Sequence, residues 1–269
     1  MSDRKLAVVG GGQMGRALVG GMLANQVIPP EQVGLVEPSD AGQAWWRENQ
    51  PGVTIGELAS VVPECDLVLL AVKPNVIAAV AKQKGRFWQG KLVVSIAAGV
   101  SLDQLSSLIG HKRVVRVMPN TPSLVAAGAS AFCCGSDVTD EDKQWIQSML
   151  DSVGLAVQVS EDQMDAVTGL SGSGPAYVCM VIEAMADGGV QAGLPRALAM
   201  QLATQTVLGT AKMIAETGRH PGELKDAVAS PGGTTIAAIA TLEQNGLRGA
   251  MIEAVVTSAN RSRQMGESR

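Results

Sequence analysis

The chain has 269 residues and a formal net charge of −4, with 31 glycines and 12 methionines but only 2 phenylalanines and 1 tyrosine. This length allows two compact domains, whose cores must be built largely from small aliphatic side chains. The acidic balance offers no basic field to a phosphate backbone, which excludes nucleic acid as an expected partner. The first apolar run is too short for a signal peptide, and no stretch approaches a membrane span. We therefore expect a cytoplasmic protein without a membrane partner.

Residues 1–160 alternate short apolar runs with helical patterns. The runs predicted as strands are Lys5–Gly10, Val33–Glu37, Leu67–Val72, Leu92–Ile96, Val114–Met118 and Ala129–Cys133. The helices predicted between them are Met14–Asn25, Ala41–Asn49, Ser101–Ile109 and Asp140–Asp151. Continuous apolar strands alternating with helices predict an α/β domain with a doubly wound, mostly parallel sheet.

Residues 161–269 form the second predicted domain, which is all-helical. One helix is predicted from Pro195 to Thr217, ahead of Gly218. Its apolar residues cover more than one side, so the helix should be buried on more than one side. Because so short a domain has little chain to cover such helices, we expect a second subunit to cover them.

The strand Lys5–Gly10 leads into the sequence Gly-Gly-Gly-Gln-Met-Gly at residues 10–15, and then into a helix. In a dinucleotide-binding turn, Gly10 permits the tight bend, Gly12 lets the backbone approach a pyrophosphate, and Gly15 lets the helix pack on the strand. The helix start, with Gln13 and Met14, offers unpaired N–H groups to the phosphates. The alternative is a glycine-rich turn without a ligand.

Glu37 ends the second predicted strand, where a carboxylate can accept hydrogen bonds from a ribose diol and repel a 2′-phosphate. No Lys or Arg follows before Arg47, so the sequence favours NADH. Ser39 and the unknown loop conformation leave NADPH open.

Four further segments carry a family likeness that spans the chain. They are Ala71-Val72-Lys73-Pro74, Met118-Pro119-Asn120-Thr121-Pro122, Ser171-Gly172-Ser173-Gly174-Pro175-Ala176-Tyr177 and Ser230-Pro231-Gly232-Gly233-Thr234-Thr235. In order and spacing they resemble the signature segments of pyrroline-5-carboxylate reductases. The resemblance implies a Rossmann-type domain followed by a helical dimerisation domain that intertwines with its partner, often within a larger ring such as a decamer. It also implies reduction of a cyclic imine acid, 1-pyrroline-5-carboxylate, to L-proline by NADPH or NADH.

The resemblance also implies where the ligands bind. Cofactor contacts are expected at Gly10, Gly12, Gln13, Met14, Gly15, Glu37, Ala71, Val72, Lys73, Pro74, Ala97, Ala98, Gly99, Met118, Pro119 and Asn120. Substrate contacts are expected at Ser230, Gly232, Gly233, Thr234 and Thr235, with the Thr235 hydroxyl beside the substrate nitrogen. Glu37 departs from the family, since many members carry a small or neutral residue there, and this puts the family's common use of NADPH in doubt.

The chemistry fits these residue types. A protonated imine already accepts hydride readily, so the enzyme mainly needs to position the substrate and exclude water. The glycine N–H groups at a helix start suit the substrate carboxylate, and Thr235 is a candidate catalytic group for the nitrogen proton. A capped helix start is the alternative. Lys73, at a strand end, is the second catalytic candidate, against the alternative of a solvated lysine.

Other functions are weaker. A β-hydroxyacid or ketopantoate-type dehydrogenase is disfavoured because residues 177–185 contain no lysine, and a non-catalytic dinucleotide sensor needs no carboxylate turn. The segment at Ser171–Ser173 fails the G-x-S-x-G pattern of serine hydrolases and is interpreted as a loop. No metal site is expected, because the two histidines lack companions at ligand spacing. The adjacent Cys133 and Cys134 are interpreted as strand residues, with a redox pair as the alternative.

Overall fold

The computed structural model describes residues 4–82 and 87–267. The strands are β1 (Leu6–Val9), β2 (Val33–Val36), β3 (Thr54–Ile55), β4 (Leu67–Leu70), β5 (Leu92–Ser95), β6 (Val114–Met118), β7 (Gly128–Cys134) and β8 (Gly154–Gln158). The first helices are α1 (Gln13–Ala24), α2 (Asp40–Asn49), α3 (Leu58–Val61), α4 (Pro74–Ala81), α5 (Leu102–Ile109) and α6 (Asp140–Asp151). They are followed by α7 (Met164–Val167), α8 (Gly174–Gln191), α9 (Arg196–Thr217), α10 (Pro221–Ala227), α11 (Thr234–Gln244) and α12 (Leu247–Glu267).

The eight strands form one sheet in the order β3-β2-β1-β4-β5-β6-β7-β8. Every neighbouring pair is parallel except β6 and β7, which are antiparallel. The strand order reverses direction between β1 and β4, which creates the crevice where doubly wound sheets bind ligands. The predicted fold class is confirmed.

Helices cover both faces of this sheet. Strands β1, β4 and β5 are completely buried, because alternate residues pack into two separate apolar clusters, one on each face. This explains why these strands read as continuous apolar runs rather than as alternating ones. The short strand β3 and the edge strand β8, whose residues are largely exposed, carry no such run and were not predicted.

The described chain divides into two compact units. The first comprises the residues up to Ser173 together with those from Thr257 onward, and the second comprises Gly174–Val256. Helix α12 therefore contributes its first part to the second unit and its last part to the first. In the first unit, the Ser262 hydroxyl donates to Asp165 Oδ1 at 2.7 Å and Gln104 Nε2 donates to the Gly266 carbonyl at 3.0 Å, which anchors the chain end.

The second unit contains only helices. Helix α9 ends at Thr217, followed by Gly218 in the left-handed conformation, as its sequence predicts. Helices α8 and α9 pack on each other through small residues, with Ala186, Ala199 and Ala203 buried between them. Many larger apolar side chains stay exposed in the single chain, including Met180 (69% exposed) on α8 and Leu208 (58%) on α9. No helix among the described residues is both long and apolar enough to cross a membrane.

Candidate active site

The glycine turn after β1 has the geometry that its sequence predicts. Gly10 lies at φ +102°, and a Cβ there would stand 2.6 Å from the Ala71 carbonyl oxygen on the neighbouring strand. A Cβ at Gly15 would stand 2.6 Å from the Gly10 carbonyl oxygen. A Cβ at Gly12, in contrast, would have no described atom within 4 Å. Packing within the protein therefore requires Gly10 and Gly15, whereas Gly12 opens toward solvent, as a pyrophosphate site needs.

The start of helix α1 offers free donors at this turn. Gly12 is the N-cap residue, and no side chain in the described part of the chain caps the helix. Gly12 and Gln13 are exposed and Met14 is half-buried. An uncapped helix start presents unpaired N–H groups and the positive end of the helix dipole, so the residues present fit a dinucleotide phosphate.

Two side chains that sequence reasoning missed hold the turn in place. The buried Trp46 donates from Nε1 to the Gly11 carbonyl at 3.0 Å, and Arg16 Nε donates to the same oxygen at 3.1 Å. The Arg16 guanidinium also lies 4.1 Å above the centre of the Trp45 ring. A cation over an aromatic face is stabilised by the ring quadrupole. The only sequence signal for these contacts was the paired tryptophans on α2, and their pairing with a turn about 35 residues earlier required the fold.

Glu37 lies directly after β2, beside the glycine turn. Its Oε2 accepts from the Gly11 N–H at 2.7 Å, and its Oε1 accepts from the Ser39 N–H at 3.0 Å and the Ser39 hydroxyl at 2.7 Å. Burial alone would raise the pKa of Glu37, but these hydrogen bonds and the charge of Arg16 outweigh it, so the pKa is lowered. The carboxylate is therefore ionised and fixed against the glycine turn.

The other predicted cofactor residues follow β4, β5 and β6 along the same carboxyl edge. Ala71 and Val72 are half-buried, and the exposed Lys73 is the N-cap residue of α4, where Pro74 takes the first helical position. After β5, Ala97 is buried, Ala98 is half-buried, and Gly99 takes φ +69°. Met118, the last residue of β6, is half-buried, and Pro119 after it is buried. The sheet thus brings every predicted cofactor residue to one edge of the first unit.

Asn120 uses its side chain within the protein. Its Nδ2 donates to the Ser171 carbonyl at 3.1 Å, and its Oδ1 accepts from the Ala129 N–H at 2.9 Å. The amide joins the loop after β6 to the segment that leads into α8. This arrangement supports a positioning role for Asn120 in the site.

The segment at Ser171–Ser173 is not the loop that the sequence suggested. Thr168–Gly172 forms a π-helical turn, with the Ser173 N–H donating to the Thr168 carbonyl at 2.9 Å. Gly172 faces Met118, because a Cβ there would stand 2.5 Å from Met118 Cε. A wide turn of this kind inside a helical run often marks a functional site. Here it brings the backbone of Gly172, which precedes α8, against Met118 at the end of β6.

The predicted substrate segment lies at the start of α11 in the second unit. Gly232 takes φ +66°, and the Gly233 N–H donates to the Ser230 carbonyl at 3.0 Å. Gly233 is the N-cap residue, and no described side chain caps this helix either. Thr234 is exposed and Thr235 is half-buried. The alternative interpretation, a helix start capped by threonine, is therefore wrong: the helix begins with free N–H groups and adjacent hydroxyls, which suits a carboxylate.

The thiols do not form a reactive pair. Cys133 is buried on β7, and burial together with the Glu161 carboxylate, which accepts from its Sγ at 2.8 Å, raises the pKa of Cys133. Burial raises the pKa of Cys134 to about 11. Cysteines in such surroundings are protonated and unreactive at neutral pH. Among the described residues, no three His, Cys, Asp or Glu side chains group as metal ligands.

Comparison with known proteins identifies relatives along the whole chain. Residues 161–265 match the family model described as pyrroline-5-carboxylate reductase dimerisation, and residues 5–99 match the one described as NADP oxidoreductase coenzyme F420-dependent. The pyrroline-5-carboxylate reductase of Methanosarcina acetivorans is 45% identical over 99% of this chain and 100% of its own. The solved structure of such a reductase from Coxiella burnetii is similar with a TM-score of 0.91 and 35% identity, covering 98% of this chain and 99% of its own. That of the Plasmodium falciparum enzyme with NADP bound has a TM-score of 0.88 and 32% identity, with 99% of each chain covered.

Proposed function

Because the chain belongs to the pyrroline-5-carboxylate reductase family, we propose that it reduces the C=N bond of 1-pyrroline-5-carboxylate with NAD(P)H, giving L-proline. The observation that carries this proposal is full-length similarity combined with two uncapped helix starts. One, at Gly12 and α1, suits a dinucleotide phosphate, and the other, at Gly233 and α11, suits a small carboxylate.

The first unit holds the cofactor in this proposal. The pyrophosphate lies at the start of α1, where Gly12 leaves room for it and the α1 N–H groups donate to it. The ends of β4, β5 and β6 would border the nicotinamide half, and Lys73, exposed at the start of α4, would hold an anionic or ribose group there. When bound, the reduced nicotinamide supplies the hydride for the imine carbon.

The turn before α11 holds the substrate. Its carboxylate accepts from the N–H groups of Gly232 and Thr234, beside Gly233, and the Ser230 hydroxyl adds a donor. The substrate nitrogen is protonated before hydride arrives, because the iminium carbon is the better acceptor. Thr235 contacts this N–H through its hydroxyl oxygen and keeps the proton on nitrogen, where it stays in the product amine. These residues orient the substrate and exclude water, which is most of what an iminium reduction requires.

The domains divide this work as the resemblance implies: residues 1–160 bind the dinucleotide, and residues 161–269 bind substrate and form the dimer. The exposed apolar side chains of α8 and α9 support a homodimer, since such a surface on one chain marks an interaction site. We extend the proposal to a ring of dimers, a decamer, and to a cytoplasmic location, both from the family.

Turnover measurements test the proposal. We expect NAD(P)H oxidation with 1-pyrroline-5-carboxylate, with proline identified by mass spectrometry, and much weaker turnover of 1-pyrroline, which lacks the carboxylate. The six-membered homologue measures how closely the turn fits the ring. No oxidation with the carboxylated substrate and either reduced cofactor would exclude the proposal.

Thr235→Ala tests the proton contact. Removing a group that positions a proton typically lowers kcat about 100-fold. Thr235→Ser is the matched control, because it keeps the hydroxyl and should retain most of kcat. Circular dichroism and light scattering check that both variants keep the fold and the oligomer. Wild-type kcat in Thr235→Ala would contradict the role.

A further inference from the structure

The hydrogen bonds around the Glu37 carboxylate bear on which cofactor the site accepts. Three protein donors hold this carboxylate: the Gly11 N–H, the Ser39 N–H and the Ser39 hydroxyl. A carboxylate offers about four acceptor positions on its two oxygens. Two donors occupy Oε1 and one occupies Oε2, so one acceptor position on Oε2 is left for a ligand. The side chain is half-buried and reaches solvent.

The carboxylate cannot easily turn away from a ligand. Rotating the carboxylate would break its hydrogen bond from the Gly11 N–H and its two hydrogen bonds from Ser39. A hydroxyl of the adenosine ribose can donate to the available lone pair on Oε2. A 2′-phosphate brings about two negative charges to the same place and has no proton to donate at neutral pH. Glu37 therefore attracts the ribose hydroxyl of NADH and repels the 2′-phosphate of NADPH.

The positive charge of Arg16 does not offset this repulsion. Arg16 is the basic residue whose charge acts on Glu37. Its Nε is bonded to the Gly11 carbonyl, and its guanidinium lies over Trp45. Moving Arg16 toward a 2′-phosphate would remove one of the two side-chain hydrogen bonds to the Gly11 carbonyl. Arg47 is bonded to Gln43 instead, at 2.8 Å.

We propose that Glu37 selects NADH over NADPH in this chain, and that Ser39 is the residue that positions Glu37 for this selection. The inference rests on the proposed function and names the cofactor form of the same site. It separates this chain from its Plasmodium falciparum relative, whose structure has NADP bound. Ser39 has two tasks, because its Oγ also accepts from the Gly42 N–H at 3.1 Å and caps α2.

Steady-state kinetics with each reduced cofactor test the proposal. We expect kcat/KM for NADH to exceed that for NADPH by about tenfold or more in the wild type. Glu37→Gln keeps the size of the side chain and removes its charge, so the preference should fall about tenfold, mainly through a lower KM for NADPH. Glu48→Gln on α2 is the matched control: it removes an equal charge from an exposed residue nearby and should leave the preference unchanged. A wild type that prefers NADPH, or a Glu37→Gln variant with an unaltered preference, overturns the proposal.

Ser39 variants separate positioning from folding. Ser39→Ala should lower the preference for NADH, whereas Ser39→Thr, which keeps a capping hydroxyl, should retain it. If Ser39 had only a structural role, Ser39→Ala would lower kcat/KM for NADH and for NADPH by the same factor. An unchanged ratio of the two values would therefore overturn the part assigned to Ser39.

Binding measurements test the selection by Glu37 separately from the proposed function. Calorimetric titration with 5′-AMP and with 2′,5′-ADP measures the adenosine end without any turnover. Tighter binding of 5′-AMP supports selection by Glu37 even if the imine were not the substrate. Turnover of the imine with equal use of both cofactors would leave the proposed function standing and refute the selection.

Discussion

Gly12 offers a substitution that separates cofactor binding from folding. A Cβ at Gly12 would meet no described atom within 4 Å, so Gly12→Ala introduces no clash within the described part of the protein. The methyl group would instead occupy the space through which a pyrophosphate approaches the N–H groups at the start of α1. One hydrogen bond to a charged group contributes about 1.5–3 kcal/mol. Since 1.4 kcal/mol corresponds to a factor of ten, losing one such bond weakens cofactor binding about 10- to 150-fold.

Gly20 provides the matched control on the same helix. A Cβ at Gly20 also meets no described atom within 4 Å, but Gly20 lies in the middle of α1, away from the turn. Gly20→Ala should leave the Kd unchanged and raise stability by up to about 1 kcal/mol, because alanine favours a helix over glycine. Calorimetric titration with the reduced cofactor, paired with thermal unfolding, measures both quantities. If Gly12→Ala binds cofactor as tightly as the wild type, the phosphate does not lie where we place it.

Three further predictions concern stability and assembly. Asp142 is buried and accepts from Arg4 and from both Nε and Nη2 of Arg113. Asp142→Asn removes the buried negative charge that these two arginines share, leaving Arg4 only its ion pair with the exposed Glu141, and should cost about 3 kcal/mol in denaturant unfolding. A loss under about 1 kcal/mol would contradict this. Burial raises the pKa of Asp142, but bonds from Arg113, Thr139 and Arg4 outweigh it and hold the pKa far below its ordinary value. Its contribution is therefore full well above the unfolded pKa of 3.8 and declines as the pH falls below it, and Asp142→Asn should flatten that part of the pH–stability profile. Asn120→Ala removes the partners of two backbone groups and should cost about 1–3 kcal/mol, measured in the same way, with wild-type stability as the refuting result. Leu208→Arg places a charge on an apolar surface of α9 and should shift the oligomer toward monomer in light scattering. An unchanged oligomer would contradict the placement of this surface in the interface.

Most of the first unit could be predicted from local sequence. The strand Val114–Met118 and the helix Asp140–Asp151 were predicted with the bounds that the structure has, because uninterrupted apolar residues and an acidic capped start are local signals. The two missed strands, β3 and β8, have little apolar burial of their own. They form because an existing sheet edge offers them backbone partners. Such pairing depends on distant residues and leaves no periodicity to find.

The site divides in the same way. Gly10, Gly12 and Gly15 could be assigned separate tasks from spacing alone, and their geometry agrees with each task. The bonds of Trp46 to Gly11 and of Asn120 to Ser171 join residues 35 and 51 positions apart, so no sequence window contains both partners. The π-helical turn before α8 was missed for a related reason, since a loop and a widened helical turn share the same glycine- and serine-rich composition.

Glu37 shows most clearly which properties the sequence determines and which depend on the tertiary structure. The sequence alone determined that an acidic residue ends the second strand about 20 residues beyond a glycine turn, because strand periodicity and motif spacing are properties of consecutive residues. Only the tertiary structure decided that Gly11 and Ser39 hold both carboxylate oxygens, that the charge persists, and that Oε2 has one donor among the described residues where Oε1 has two. These properties come from donors on two different loops, and folding alone brings those loops together around one side chain.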